Sequence, residues 1–133
     1  MCKKAKILLG ILLLFLAAII PLPFAQVEAG SVSTSDFQMK GDTLVKYTGT
    51  ASAVSIPTSV RNIGKEAFAG HTELVKVELP GYLESIDYNA FADCSSLQKI
   101  VIPDNVETIG NGAFSGCSSL ESISLGRKLK ELY

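Results

Sequence analysis

Hydrophobic and polar positions repeat along residues 54–125 with a period of 23. Ile56, Val60, Ile63, Ala67, Phe68, Leu74 and Val77 recur as Leu79, Leu83, Ile86, Ala90, Phe91, Leu97 and Ile100. They recur again as Ile102, Val106, Ile109, Ala113, Phe114, Leu120 and Ile123, with Pro57, Pro80 and Pro103 in step. A fixed period of this size marks a solenoid, in which each repeat is one coil that cannot bury its apolar side alone. Leu97-x-x-Ile100-x-Ile102 ends in alternation, which predicts a short strand with Ile100 and Ile102 inward and Lys99 and Val101 outward. Pro103 lacks an N–H and predicts a corner. Val106-x-x-Ile109 predicts a second apolar edge. Beyond Gly110, the spacing of Ala113-Phe114, Cys117 and Leu120 predicts a helical turn as the third side. Coils stacked about 4.8 Å apart put Ile100 between Val77 and Ile123 in a parallel sheet. They also line up Phe68, Phe91 and Phe114 as an aromatic spine, and Ile63, Ile86 and Ile109 as a second file.

The flanks read differently. Residues 36–53 predict a capping hairpin, because Phe37-Gln38-Met39 and Thr43 to Tyr47 alternate around Lys40-Gly41-Asp42. The first coil needs such a cover for its unpaired backbone. Lys-Gly-Asp is also a tripeptide of the kind some adhesion receptors recognise, but it is ordinary turn chemistry. Residues 30–35 are small and polar and predict a flexible lead-in. Residues 1–29 predict a signal peptide: Lys3, Lys4 and Lys6 precede an apolar run from Ile7 to Phe24, and Val27-Glu28-Ala29 suits cleavage before Gly30. The rival is an uncleaved anchor, the one route by which this chain would meet a membrane. At the far end, 126–133 starts a fourth copy, with Leu129 matching Val106 and Leu132 matching Ile109, and no cap follows. The expectations are a truncated longer array, end-to-end self-association through the open rung, or a fragile monomer.

Composition narrows the function. With the leader set aside, residues 30–133 carry nine basic and twelve acidic side chains and no Trp. A mildly acidic chain without a basic patch has no electrostatic footprint for nucleic acid. Candidate chemistry is sparse. Cys94 and Cys117 are equivalent positions on adjacent rungs, with His71 in the same column. Their spacing is within disulfide range and a secreted chain meets oxidising conditions. However, stacked side chains run parallel, and against Leu97, Leu120 and the Phe spine two buried thiols are expected. Three ligands in a straight column cannot surround a tetrahedral metal. Ser95-Ser96 and Ser118-Ser119 lack a nucleophile elbow or a second histidine. Asp93, Asp104 and Glu107 show no paired-carboxylate spacing. No catalytic residue, metal or cofactor is expected.

The pattern I-P-x-x-V-x-x-I-G-x-x-A-F-x-x-C-x-x-L-x-x-I resembles the leucine-rich repeats of the BspA type, over residues 54–125 with a partial copy to 133. Departures are His71 for Cys, Ile86-Asp87 for Ile-Gly, and Gly126 where a fourth Pro would fall. The resemblance implies an α/β solenoid: a right-handed leucine-rich-repeat coil with parallel strands, a hairpin cap at the N-terminal end and an open C-terminal end. It also implies a secreted or surface-displayed module for adhesion or protein binding, with no reaction. The outward positions of the strand face are the candidate contacts. They form three columns: Val75, Gln98 and Glu121; Lys76, Lys99 and Ser122; Glu78, Val101 and Ser124. A protein or matrix ligand is the expected partner. The alternative is a structural spacer, or a fragment of a longer surface protein, whose strand face binds nothing.

Overall fold

The computed structural model describes residues 32–133; the leader reading falls outside the described residues. Ten short strands follow one another: β1 (Phe37–Lys40), β2 (Thr43–Tyr47), β3 (Ala53–Ser55), β4 (Asn62–Ile63), β5 (Lys76–Glu78), β6 (Ser85–Ile86), β7 (Lys99–Val101), β8 (Thr108–Ile109), β9 (Ser122–Ser124) and β10 (Glu131–Leu132). They sort into a six-stranded sheet of order β1-β2-β4-β6-β8-β10 and a four-stranded sheet of order β3-β5-β7-β9. Successive rungs pair in parallel at the repeat register, with Ile63 beside Ile86, Ile86 beside Ile109, and Ile100 beside Ile123. β1 and β2 form an antiparallel hairpin, and β2 pairs in parallel with β4.

Local sequence explains each side of the coil. The centre of β5 and β7 is buried and its neighbours are exposed, as alternation requires. At each corner the proline carbonyl accepts a turn bond three residues on: Val60 N–H to Pro57 O at 3.1 Å, Leu83 to Pro80 at 3.0 Å, and Val106 to Pro103 at 3.2 Å. The same turn thus closes each of these three rungs without asking the proline for an N–H.

The third side is not helical, which corrects the α/β expectation. Among the described residues the one helix is a single 3-10 turn, Thr34–Asp36, and there is no α-helix. The side is instead a run of tight turns. Some amides bond back three residues, as in Ala90 to Asp87 (3.2 Å) and Ala92 to Asn89 (3.0 Å). The amides between them donate along the axis, Asn89 to Asn111 (3.1 Å), Phe91 to Ala113 (2.8 Å) and Asp93 to Ser115 (2.7 Å). Left-handed residues recur at two fixed places per rung, Glu66, Asn89 and Gly112 at one and Gly70, Asp93 and Gly116 at the other. Such a residue breaks an α-helix. The apolar spacing of three to four survives because consecutive turns return a side chain to the core about as often as a helix does.

The core is the set of files foreseen from the period. Val60, Ile63, Ala67, Phe68, Leu74, Leu83, Ala90 and Leu97 have no exposed surface. Phe68 and Phe91 stack with centroids 4.9 Å apart and planes 11° from parallel, and Phe91 and Phe114 at 5.6 Å and 8°. Tyr47 extends the spine, stacked on Phe68 at 5.1 Å, and Phe37 packs on Tyr47 at 5.3 Å. Burial fades at the last rung, where Phe114, Leu120 and Leu129 are half-buried and Ile123, Leu125 and Leu132 are exposed.

Candidate functional site: the outward face of the four-stranded sheet

The strands of the four-stranded sheet carry outward side chains in register. Ala53 and Ser55 of β3 lie beside Lys76 and Glu78 of β5, Lys76 lies beside Lys99 of β7, and Lys99 and Val101 lie beside Ser122 and Ser124 of β9. The third column is held by the amide ladder Val75 N–H to Ser52 O (2.7 Å), Gln98 N–H to Val75 O (3.2 Å) and Glu121 N–H to Gln98 O (2.9 Å). Val75, Lys76, Glu78, Gln98, Lys99 and Val101 come together around one groove of about 640 Å³, with Leu79 and Pro103 forming its corner wall. Glu121, Ser122 and Ser124 lie on the same face but outside that groove. A second hollow of about 430 Å³ adjoins it, shares Lys76 and Glu78, and reaches Phe37 and Val32. The two make one trough crossed by the Lys76–Glu78 ion pair.

That pair is short, 2.8 Å between Nζ and Oε1. The Lys76 hydrogen bond, and then its charge, hold the Glu78 carboxyl below its ordinary value. Lys99 takes part in none of the ion pairs among the described residues. Val101 is half exposed beside it. The site is thus an apolar floor with one neutralised pair and one uncommitted cation.

The residues weighed for chemistry are occupied structurally. Cys94 and Cys117 are free thiols. Their sulfurs donate to the carbonyls of the preceding rung, Cys94 to Phe68 O at 3.2 Å and Cys117 to Phe91 O at 3.1 Å. Burial pushes the Cys94 thiol from 9.0 to about 12 and raises that of Cys117, so both remain protonated and unreactive near neutrality. His71 has the same duty with a different atom: Nε2 lies 3.0 Å from Tyr47 O, and Nδ1 lies 3.1 Å from Glu73 Oε1. The side chain is mostly buried rather than half-exposed. Backbone and His71 hydrogen bonds hold Glu73 below its ordinary value. Among the described residues no group of three or more His, Cys, Asp or Glu side chains could hold a metal ion. Ser118 Oγ donates to Ser95 O at 3.4 Å, while Asp104 and Glu107 bind Arg127 and Lys130. Among the described residues no helix is long and apolar enough to cross a membrane.

Two features were not read from the sequence. Tyr47 fills the aromatic file one rung early, hidden because it falls 21 residues before Phe68, not 23. The outward side of the six-stranded sheet carries a charged column, Arg61, Glu84, Glu107 and Lys130, with Arg61–Glu84 at 2.9 Å and Lys130–Glu107 at 2.8 Å. The same 23-residue period, applied to polar positions, was the signal available.

With this geometry in place, comparison with known proteins gives the family. Residues 41–133 match the BspA-type leucine-rich repeat region in six copies. The chain belongs to this family of leucine-rich repeat proteins. Among curated proteins none matches the sequence. Among solved structures it is similar to the T. pallidum leucine-rich repeat protein, with 27% identity and a TM-score of 0.60 over 77% of this chain and 64% of that one. It is similar to a leucine-rich repeat protein from Bacteroides capillosus, with 25% identity and a TM-score of 0.54 over 73% of this chain and 72% of that one. A third, from Eubacterium ventriosum, shares the fold at 21% identity and a TM-score of 0.64, over 74% of this chain and 27% of that one. The chain spans less than two thirds of the T. pallidum and E. ventriosum proteins.

Proposed function

We propose that the chain is a non-catalytic recognition module of a secreted or surface-displayed bacterial protein, binding a protein or matrix ligand along the outward face of the four-stranded sheet. The trough carries this reading. Val101, exposed, and Val75, Leu79 and Pro103, each partly exposed, lie beside Lys99, whose charge is uncommitted. An apolar floor rimmed by polar groups is how protein-docking patches are composed. An extended polypeptide with apolar side chains and a carboxylate for Lys99 complements it. No Trp, Tyr or Arg lies in the groove to act as an anchor, so a single module binds weakly, and affinity rises when several are linked. The leader-like pattern of residues 1–29 and the family support export.

The test replaces Lys76→Ser, Glu78→Ser and Lys99→Ser together, giving β5 and β7 the side chain β9 already carries. Wild-type protein should bind at least one member of an immobilised panel of purified matrix proteins. The triple variant should bind it at least about tenfold more weakly, a change of about 1.4 kcal/mol, with an unchanged melting temperature. Unchanged binding would remove this face from the account, and no binding by the wild type would leave the repeats as a spacer.

A further inference from the structure

We propose that the outward face of the six-stranded sheet is a second binding surface, and that its ligand is an uncharged, extended oligosaccharide lying along the coil axis. This surface is independent of the trough on the other sheet. Its groove of about 540 Å³ is walled by polar groups, where the trough is walled by apolar ones.

Charge decides the class of ligand. Arg61 Nη1 donates to Glu84 at 2.9 Å and Lys130 Nζ donates to Glu107 at 2.8 Å, so the central column is neutralised in place. Lys128, at the rim, donates to Asn105 Oδ1 at 2.8 Å. Of the cations here only Lys128 lacks a carboxylate partner, so the face offers an acidic ligand a single rim charge and not a basic patch. Next to this column lies one of amides and hydroxyls. Ser85 Oγ donates to Asn62 Oδ1 at 2.8 Å, while the Asn62 amide nitrogen reaches Asp42 only at 3.5 Å. The second oxygens of Glu84 and Glu107 remain free as acceptors for hydroxyl protons.

Tyr82 supplies the remaining element. The residue is 65% exposed, and the Arg61 guanidinium lies 6.0 Å from the ring centroid. A solvent-exposed ring with amides, hydroxyls and carboxylates beside it suits a pyranose, which lays its C–H face on the ring and exchanges hydrogen bonds through its hydroxyls. Rungs advance about 4.8 Å, a step comparable to one β-linked pyranose in an extended chain. Equivalent groups on successive rungs therefore meet successive sugars. A protein partner would need apolar area, and here only the Tyr82 ring provides it.

The experiment titrates the purified protein with cellohexaose and with the β-1,4-linked hexamer of N-acetylglucosamine, by calorimetry. At least one should bind. Affinity should hold between low and molar salt, because no charge pairing is screened. Tyr82→Ala, at an exposed position, should melt as wild type and lose about tenfold or more in affinity. The proposal is overturned if neither sugar binds, if Tyr82→Ala binds as wild type, or if binding is confined to a sulfated glycan such as heparin and falls steeply with salt.

Discussion

Phe91→Ala is the sharpest perturbation of the coil. Phe91 is the middle ring of the spine, fully buried, between Phe68 at 4.9 Å and Phe114 at 5.6 Å. Burying such a ring is worth about 1.5–3 kcal/mol, and each stacked pair adds about 0.5–1.5 kcal/mol. The cavity left behind would not collapse readily, because Phe68 N–H to Ala90 O (2.7 Å) and Phe91 N–H to Ala113 O (2.8 Å) hold the rungs at fixed separation. The total agrees with the about 3–5 kcal/mol typical of buried Phe→Ala changes. At about 4–8 °C per kcal/mol for a domain of this size, the melting temperature should fall by at least about 12 °C. Phe114→Ala is the internal control: half-buried and stacked on one ring, it should cost roughly half as much or less. Thermal and urea unfolding followed by circular dichroism reads both variants, with the urea slope unchanged if only stability has moved. A Phe91→Ala protein melting within about 4 °C of wild type, or a Phe114→Ala loss as large as that at Phe91, would refute the stacked-rung reasoning.

Further outcomes follow from individual side chains. Glu66 holds a left-handed conformation (φ 56°) at the position Gly112 occupies two rungs on. Glu66→Gly should therefore raise stability by about 1 kcal/mol, the strain relieved outweighing the added freedom of the unfolded chain; a lower melting temperature would contradict this. The Tyr47 hydroxyl is buried, and burial raises its pKa against the pull of the Ala51 amide. By geometry the hydroxyl makes no hydrogen bond, to that amide or to any other group among the described residues. Tyr47→Phe should accordingly match or exceed wild-type stability, whereas a loss above about 1 kcal/mol would reveal a hydrogen bond to Ala51. Thiol labelling without reductant should modify Cys94 and Cys117 together after denaturation, with Cys94 inert in the native protein; no label at either position after denaturation would mean a bridge. Because the Cys94 thiol is raised from 9.0 to about 12 on folding, its contribution is complete below pH 9 and declines as pH climbs toward 12. Cys94→Ala should flatten that alkaline decline in a pH series of melting temperatures.

What could be read from the sequence was whatever repeats at a constant interval. Ile63, Ile86 and Ile109 are paired neighbours, and Phe68, Phe91 and Phe114 stack in succession, because a file needs the same side chain at the same place in every coil. The third side misled because an apolar interval of three to four fits an α-helix and a chain of tight turns equally well. The discriminating signal was polar: Asn89, Asp93, Gly112 and Gly116 hold left-handed positions that a helix could not contain. Tyr47 escaped notice because the hairpin shifts the interval at the first rung. For the candidate contacts, alternation gave the outward direction of Lys76, Lys99 and Val101. It could not give the corner wall of Leu79 and Pro103 that turns the face into a trough. His71 stands where its counterparts are Cys94 and Cys117, and the structure shows why: the column requires a group that bonds the carbonyl one rung back.

The stacking of rungs at the repeat interval can be measured directly by nuclear Overhauser spectroscopy on deuterated protein with protonated Phe rings. The account predicts cross-peaks between Phe68 and Phe91 and between Phe91 and Phe114, at centroid separations of 4.9 and 5.6 Å, and none between Phe68 and Phe114. A direct Phe68–Phe114 cross-peak, or the absence of both neighbour peaks in the folded protein, would contradict it.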